Sequence, residues 1–293
     1  MENQRIFPPG SEWVYLKVYS GPKSLERFLT NEIASIIPSL LRHKCIDMFF
    51  YVRYADPDYH IRFRFHLTDI SHFGRVVQKL RELFDPYLRK RIIWKVSFES
   101  YNREFERYGM ATIGHVESLF FYQSLAAISI IKMTNDDELN DRWMWGCKLV
   151  DLTLSEFGLS LNDKISLFRN ISKNFLAEFG GNKSIKILLD HKVRMNTAHL
   201  EKVLSINDES EIQKILRENM HPCRKDILAI LEIKKNGHLE VGFNDLLASI
   251  VHMHFNRMFR THQRAYELVL YYILERYYSS IEARERRKER VII

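Results

Sequence analysis

One segment in the first quarter of the chain gathers arginine and histidine side chains on one face. In RYADPDYHIRFRF, residues 53–65, the alternation expected of a strand places His60, Arg62 and Arg64 on one face, together with His66 just beyond the segment. Arginine presents a planar fork of donors that suits carboxylate and phosphate groups. A row of like charges is stable only where water, protein carboxylates or a bound anion screens it. The segment therefore indicates either an anion-binding face or a sheet surface paired with nearby acids.

A second segment, YNREFERYG at residues 101–109, places a carboxylate beside a guanidinium. If it is helical, Glu104 and Arg107 are neighbours three positions apart, as are Tyr101 and Glu104, and Tyr108 returns to the same face. The carboxylate can then orient the arginine or act as an acid or base. The alternative is an ordinary ion pair on a helix surface, which contributes little to stability.

The third segment, HMHFNR at residues 252–257, offers a histidine for proton transfer. On a helix His252 and Asn256 share a face, whereas His252 and His254 point about 200° apart and cannot chelate one metal ion. The sequence contains no HExxH, no Cys/His ligand spacing and no glycine-rich phosphate loop. It therefore predicts no metal and no cofactor, and leaves His252 as either an acid–base group or a structural histidine.

Short aromatic and β-branched runs predict the strands that must position these residues. They cover residues 13–19, 48–54, 60–67 and 92–98, with helical spacing between them at 24–41 and 72–83. Asp56-Pro57-Asp58 predicts a short hairpin connection. The first hundred residues therefore look like a mixed sheet layer.

From residue 117 to residue 233 the pattern becomes mainly helical. Gly180-Gly181 predicts a helix end, Asn236-Gly237 predicts a turn, and Asn244 or Asp245 is expected to cap a helix that precedes a last helix over 265–283. Because strands come first and helices later, we predict an α+β fold. We expect one compact unit over residues 1–293, with flexible ends at 1–12 and 284–293.

Composition narrows the functional classes. Lys plus Arg number 44 against 37 Asp plus Glu, a net charge of +7, and 46% of residues are apolar, which excludes wholesale disorder. Three widely spaced cysteines without CxxC fit a reducing, cytoplasmic location, and no signal peptide is visible. The apolar stretch 118–131 is too short to span a bilayer. The basic run at 284–290 reads as a solvated helix end, so we expect no direct binding of nucleic acid.

Taken together, the three segments resemble a known family. RYADPDYHIRFR, YNREFERYG with VESLFFYQS, and VHMHFNR, in that order, are similar to the C-terminal elimination domain of lantibiotic dehydratases, which also occurs as the free-standing thiopeptide-type bacteriocin biosynthesis protein. The resemblance spans Trp13 to Ala283. It implies a lyase that eliminates glutamate from glutamylated Ser or Thr of a precursor peptide, leaving dehydroalanine or dehydrobutyrine. A separate enzyme dependent on glutamyl-tRNA would esterify the peptide first.

The resemblance also implies roles for individual residues. Arg62, Arg64 and Arg107 would bind the glutamyl group and its leaving carboxylate, with Arg53 as a further substrate-binding residue. Glu104 would orient an arginine or bind the ammonium, and His252 would transfer a proton. The chain departs from the family pattern at two positions, where Met110 replaces a second glycine and Gln123 replaces an acidic residue.

Two rival functions stay open at this point. Some free-standing relatives are pyridine synthases, which join two dehydroalanines in a formal cycloaddition and expel the leader peptide, and an inactive peptide-binding scaffold is the other alternative. For elimination we expect six side chains to converge on one basic pocket without a structural metal: Arg53, Arg62, Arg64, Glu104, Arg107 and His252. A homodimer is compatible with the sequence.

Overall fold

The strands occupy the N-terminal third, in a computed structural model that describes residues 4–134, 141–205 and 211–291. Within these residues they are β1 Ile6–Phe7, β2 Trp13–Ser20, β3 Ile46–Tyr54, β4 His60–Leu67, β5 Ile93–Phe98 and β6 Tyr101–Asn102. An antiparallel sheet has the order β3-β4-β2-β5, and β1 pairs separately with β6. The four predicted strands are confirmed to within two residues.

The helices surround and follow this sheet. Those near the strands are α1 Pro22–Phe28, a π-helical turn Leu29–Ile33, α2 Ala34–Arg42, a 3-10 turn Ile70–His72, α3 Phe73–Arg89 and the one-turn α4 Phe105–Tyr108. The remainder is α5 Ile113–Thr134, α6 Arg142–Glu156, α7 Leu161–Glu178, α8 Lys183–Ser205, α9 Glu211–Lys235, α10 Phe243–Met258 and α11 Gln263–Val291. The predicted α+β class is confirmed, with a sheet that is antiparallel throughout.

The two faces of the sheet bury different cores. The odd-numbered residues of β4, among them Phe63 and Phe65, are fully buried against α1, α2 and α3 through residues such as Phe28 and Leu80. The opposite face carries Trp13, Tyr15 and Phe50, which belong to the core of the C-terminal helices. Alternation along the strands thus assigns one sheet face to each layer of helices.

Side chains from the helices cover the outer edge of β3. The backbone N–H of Tyr51 donates to Ser124 Oγ of α5 at 3.4 Å. The Asn256 side chain of α10 accepts from the Arg53 N–H at 2.8 Å and donates to the Arg53 carbonyl at 2.9 Å. These bonds replace the missing neighbouring strand and fix α5 and α10 beside the hairpin.

Two sequence expectations about helix bounds need correction. Helix α10 begins at Phe243 after an extended Gly242, whose carbonyl accepts from the Leu246 N–H at 2.9 Å, so neither Asn244 nor Asp245 is its cap. The expected helix 24–41 is interrupted by the π-helical turn. At the ends, β1 is paired and α11 continues to Val291, with an ion pair between Arg284 and Glu201 at 2.5 Å. The flexibility expected of residues 1–12 and 284–293 stays a prediction. Residues 1–3 and 292–293 lie outside the described residues.

Helix α5 is longer than the apolar stretch read from the sequence. With 22 residues it is long and apolar enough to cross a membrane by length and composition. Two-thirds of its apolar window, 67%, is buried against the rest of the chain, as in the core helix of a folded protein. Its burial explains the apolar sequence without a bilayer.

Candidate active site

Arg64 lies at the centre of an aromatic cage on the sheet face that meets the C-terminal helices. Its Cζ is 4.5 Å from the ring centroid of Tyr15, 5.2 Å from Phe50 and 4.9 Å from Tyr101. The side chain is buried, and its Nε has no hydrogen-bond partner among the described residues. Aromatic faces stabilise a cation without neutralising it, so Arg64 keeps a donor for an anion.

Arg62 is oriented by its neighbour on the same strand face. His60 Nδ1–H donates to the Asp58 carbonyl at 2.8 Å, which leaves Nε2 to accept from Arg62 Nε at 3.1 Å. Burial, and then the charges of Arg62 and Lys17, hold the pKa of His60 below its usual value. His60 is therefore neutral and fixes the direction of the Arg62 guanidinium.

Arg53 lies on the opposite face of the sheet from Arg62 and Arg64, contrary to the expected convergence. It pairs in register with Ile61, and directly paired residues point the same way. Its guanidinium is buried and bonded at 2.9, 3.1 and 3.0 Å to Glu26 Oε2, the Tyr59 hydroxyl and the Arg257 carbonyl. Arg53 thus joins β3 to α1 and α10, and this geometry gives no support to the substrate-binding role expected for it.

Glu104 and Arg107 sit at the start of a single helical turn. Glu104 is the residue before α4, and its Oε2 lies 3.6 Å from Arg107 Nε, with both side chains about half exposed. Tyr101 belongs to β6, so the longer helix considered for this segment does not form. Tyr108 beside them is buried, and burial raises its pKa to about 12, so its hydroxyl stays protonated and interacts with Arg107.

A cleft of about 640 Å³ opens beside this turn. Its polar lining consists of Arg107, Glu104, Glu106, Glu240, Asp245 and Ser249. Glu240 accepts from the backbone N–H groups of Met110 and Ala111, which ties the loop before α10 to the turn after α4. Four carboxylates against one arginine make this cleft acidic, so it differs from the basic pocket that the sequence predicts.

His252 is held by a buried carboxylate. Its Nδ1 is 2.5 Å from Glu267 Oε1 of α11, and Glu267 is fully buried. The same carboxylate also contacts Arg264 at 3.3 Å and accepts from the Tyr271 hydroxyl at 3.4 Å. With Nδ1–H donating to Glu267, Nε2 of the partly exposed imidazole is left to exchange a proton with a substrate.

The position of His252 on α10 relates it to the arginines. Ser249, which lines the cleft with Arg107, precedes it by one turn, and Asn256, which bonds the backbone of Arg53, follows it by one turn. All three lie on one helix face. Within the described residues no hydrogen bond or ion pair joins His252 to an arginine of the sheet, and its polar partner is Glu267.

Arg257 is a residue that the sequence reasoning quoted in a motif but did not assign. It is fully buried, and Nη1 donates to the Met253 carbonyl at 2.7 Å and to Gln123 Oε1 at 3.4 Å. Its Nε and Nη2 have no partner in the described part of the chain. Burial, with a smaller contribution from the charge of Arg64, lowers its pKa to about 10. An acidic residue at position 123 would pair with this arginine, so Gln123 leaves it without a carboxylate.

Tyrosine rings connect the arginines of the two motifs. The Tyr54 ring lies 3.4 Å from Arg62 Cζ and interacts electrostatically with Arg107. Tyr108 interacts with both Arg107 and Arg257. One region therefore contains four guanidinium groups: Arg62, Arg64, Arg107 and Arg257. No group of three His, Cys, Asp or Glu side chains in the described ranges is arranged to hold a metal ion.

His254 points away from this region into the helical core. Its Nε2–H donates to the Gly146 carbonyl at 3.1 Å, and burial, followed by the charge of Arg257, lowers its pKa to about 3.

The pKa of His254 in the folded state lies below its value near 6.5 in the unfolded state. The contribution of His254 to stability is therefore fully present above pH 6.5 and is lost as the pH falls towards 3. We expect the free energy of unfolding to drop by about 2 kcal/mol at pH 5 from this group. Urea titrations should show a shallower pH dependence for His254→Gln, whereas exposed His199→Gln should follow the wild type.

An α+β fold that brings four arginines together and holds a histidine with a buried carboxylate defines a candidate acid–base enzyme for anionic substrates. The sequence profile described as "Lantibiotic biosynthesis dehydratase C-term" matches residues 13–278. The chain therefore belongs to the family of lantibiotic dehydratase C-terminal domains, as the motifs indicated.

Two curated relatives are similar over most of the chain. The nisin biosynthesis protein NisB of Lactococcus lactis subsp. lactis is 27% identical over 285 residues, which are 94% of this chain and 26% of NisB. The subtilin biosynthesis protein SpaB of Bacillus subtilis is 26% identical over 88% of this chain and 25% of its own length. The chain thus spans about a quarter of the length of the curated relatives it matches.

Two solved structures share the fold. The tRNA-dependent lantibiotic dehydratase MibB from Microbispora sp. 107891 has a TM-score of 0.66 at 16% identity, covering 94% of this chain and 29% of MibB. The pyridine synthase TbtD from thiomuracin biosynthesis has a TM-score of 0.66 at 14% identity, covering 90% of this chain and 97% of TbtD. At these identities the similarity concerns the fold alone.

Proposed function

We propose that the chain eliminates glutamate from glutamylated Ser or Thr residues of a ribosomal precursor peptide, leaving dehydroalanine or dehydrobutyrine. The observation that carries the proposal is a pair of buried arginines with donors that lack partners in the described residues: Nε of Arg64, and Nε and Nη2 of Arg257. Buried donors without acceptors are costly to keep. A ligand with anionic oxygens would satisfy them, and a glutamyl ester supplies a free carboxylate and a second one as it leaves.

The reaction balances without a cofactor. A base takes the Cα proton of the modified residue, the C–H electron pair forms the Cα=Cβ double bond, and the Cβ–O bond breaks to release glutamate as a carboxylate. His252 Nε2 is suited to transfer the proton, because Glu267 stabilises the imidazolium that forms. Arg62, Arg64, Arg107 and Arg257 would stabilise the enolate and the departing carboxylate.

The acidic cleft also has a place in this proposal. A glutamyl ester carries an ammonium group, which four carboxylates beside Arg107 would attract. Glu104 is the carboxylate nearest to that arginine, at 3.6 Å, so it can bind the ammonium and orient the guanidinium. The carboxylates of the cleft would thus bind the ammonium group and the arginines the carboxylate, which together would orient the glutamyl ester.

Partners and location follow as proposals from the same chemistry. The proposed elimination acts on a peptide that is already esterified, so we propose that a separate tRNA-dependent enzyme glutamylates it first. The three cysteines are free and buried, which fits a reducing cytoplasm.

A second candidate is a pyridine synthase, which the coverage of 97% of TbtD favours. The opposing observation is that the curated relatives named for nisin and subtilin biosynthesis match with higher identity, 27% and 26%. A synthase would expel a free leader peptide from a dehydrated substrate. A scaffold without catalysis would process neither substrate.

Mass spectrometry of a precursor peptide separates these candidates. A peptide glutamylated in advance should lose glutamate when the purified chain is added, and each lost glutamate leaves a dehydrated residue. The matched control is the same peptide without glutamyl groups, which should stay unchanged in the presence of glutamate and ATP. Release of a free leader would favour the synthase, and glutamyl adducts left untouched under conditions where the peptide binds would contradict elimination.

A further inference from the structure

A cavity of about 490 Å³ lies between α7, α8 and α11, at a place that the proposed elimination does not use. Four cations line it: Arg169, Lys173, Lys186 and Arg276. Within the described residues, Glu275 is the single carboxylate of the lining. The volume is typical of a site for a small molecule, and four positive charges against one negative charge favour an anion.

Helical periodicity brings these side chains together. Arg169 and Lys173 are four positions apart on α7, and Tyr272 and Arg276 are four positions apart on α11, so each pair shares one helix face. Lys186 lines the same cavity from the first turn of α8. Three helices therefore direct cationic donors into one space.

The cavity lies on the other side of α11 from the histidine site. Arg276 follows Glu267 by nine positions, which is two and a half turns of an α-helix, so the two side chains point in opposite directions. Glu267 is directed towards His252 of α10. Among the described residues the cavity also shares no lining residue with the acidic cleft. A ligand bound here would therefore occupy a second site.

The cations of this cavity are incompletely neutralised. Two of them are exposed and form no ion pair within the described residues: Lys173 and Lys186. Each arginine has one carboxylate contact, because Arg169 Nε is 3.7 Å from Glu275 and Arg276 Nη2 is 3.4 Å from Asp190. Charge-assisted hydrogen bonds are shorter, at about 2.7 to 2.9 Å. Both guanidinium groups therefore keep donors for a ligand.

Ser172 adds a buried donor to the lining. The residue is 1% exposed, and its Oγ has no hydrogen-bond partner in the described part of the chain. Other buried hydroxyls on helices donate to the carbonyl one turn earlier, as Ser124 does to Phe120 at 2.7 Å and Thr153 does to Leu149 at 2.8 Å. A buried hydroxyl without a partner is unfavourable. An acceptor oxygen of a ligand in the cavity would satisfy it.

We propose that this cavity binds the phosphate group of a small molecule. A phosphate monoester carries a charge of about −1.5 to −2 at pH 7 and three strong acceptor oxygens, which can meet donors from three helices at once. A carboxylate has one charge and two oxygens in one plane, so it would leave part of this lining unsatisfied. Leu176 and Ala177 give the cavity an apolar part, where the organic part of an ester can lie. The proposed elimination requires no phosphate, so this inference goes beyond it.

Isothermal titration calorimetry of the purified chain with inorganic phosphate and with AMP tests the site and distinguishes two sources of phosphate. We expect saturable binding to one site per chain at low salt. Tighter binding of AMP would assign the cavity to a phosphate ester, and equal or tighter binding of inorganic phosphate would assign it to the free anion. Ser172→Ala removes a hydrogen bond to a charged group and should raise the dissociation constant about tenfold or more. Lys173→Gln should also raise it about tenfold, and added salt should reduce that effect.

Two control variants match these changes. Ser129→Ala removes a helical hydroxyl that donates to the Leu125 carbonyl, and Lys192→Gln removes an exposed charge of α8 outside the cavity lining. Both should bind phosphate within about twofold of the wild type. Without phosphate, Ser172→Ala should unfold at the wild-type temperature or above it, because the change removes an unsatisfied polar group.

Four results would overturn the inference. They are the absence of saturable binding of both phosphate compounds, equal weakening of binding by Lys173→Gln and Lys192→Gln, and binding of succinate, a dianion with two carboxylates, as tight as that of inorganic phosphate. The fourth is a lower unfolding temperature of Ser172→Ala without phosphate, which would mean that the hydroxyl stabilises the empty fold and is not kept for a ligand.

Discussion

Replacing His252 by Ala should slow the elimination of glutamate by about 10²- to 10⁴-fold while the glutamylated peptide still binds. The imidazole is the partly exposed end of a network in which the buried Glu267 holds Nδ1, so its loss removes the group placed to move a proton. Quenched-flow mass spectrometry of glutamyl adducts measures the rate, and anisotropy of a labelled adduct measures binding. His191→Ala, an exposed change on α8, is the matched control and should keep the wild-type rate.

Glu267 variants extend this prediction, because the two residues are expected to act as one unit. Glu267→Gln keeps the shape of the side chain but removes the charge that stabilises the imidazolium, and its amide oxygen is a weaker acceptor for Nδ1–H than a carboxylate. The double variant His252→Ala/Glu267→Gln should therefore eliminate glutamate about as slowly as His252→Ala alone. Its rate loss should not equal the product of the rate losses of the two single variants. Multiplicative losses would mean that His252 and Glu267 act independently, and a wild-type rate for His252→Ala would mean that His252 transfers no proton in the reaction.

The alternation of residues along β4 predicts where Arg62 and Arg64 lie, whereas the position of Arg53 depends on the pairing of β3 with β4. Alternation in β4 assigns Arg62 and Arg64 to one face because that period depends on β4 alone. The face of Arg53 depends on how β3 pairs with β4, and its pairing with Ile61 is a long-range contact that no local pattern encodes. The expectation of convergence failed at this residue for that reason.

Two other residues, Arg257 and Glu267, are marked in the sequence by a charge within an apolar helix face. Arg257 follows His254 by three positions, on the side of α10 that also contains the buried Met253 and Met258, so a charge interrupts an apolar stripe. Glu267 is likewise an acidic residue beside the buried Leu268 and Tyr271. A charge in a buried stripe needs a partner or a ligand, which makes it a candidate for function. No local pattern predicts the acidic cleft, because Glu240 lies in the loop before α10 and meets Arg107 only through the tertiary fold.

Arg257 should show opposite effects on activity and on stability. Without a carboxylate partner, this buried cation opposes folding, so Arg257→Met should raise the free energy of unfolding by about 1 to 4 kcal/mol. The same change removes two charge-assisted contacts to the substrate and should slow elimination by about 10²-fold or more. An arginine kept only for structure would instead destabilise the fold when replaced.

Free glutamate, the product of the proposed reaction, gives a readout of the same anion site that does not require turnover. It should raise the Tm of the wild-type chain by binding the folded state, and this shift should disappear in Arg257→Met and in Arg64→Ala. Gln123→Glu places a carboxylate where Gln123 Oε1 now lies 3.4 Å from Arg257 Nη1, so it should raise the Tm without glutamate and reduce the further shift on adding it. Ser129→Glu on the partly exposed side of α5 is the charge-matched control and should respond to glutamate as the wild type does. If Arg257→Met unfolds more easily and still shows the full glutamate shift, the buried arginines do not form the carboxylate site, and the departing glutamate must be bound elsewhere.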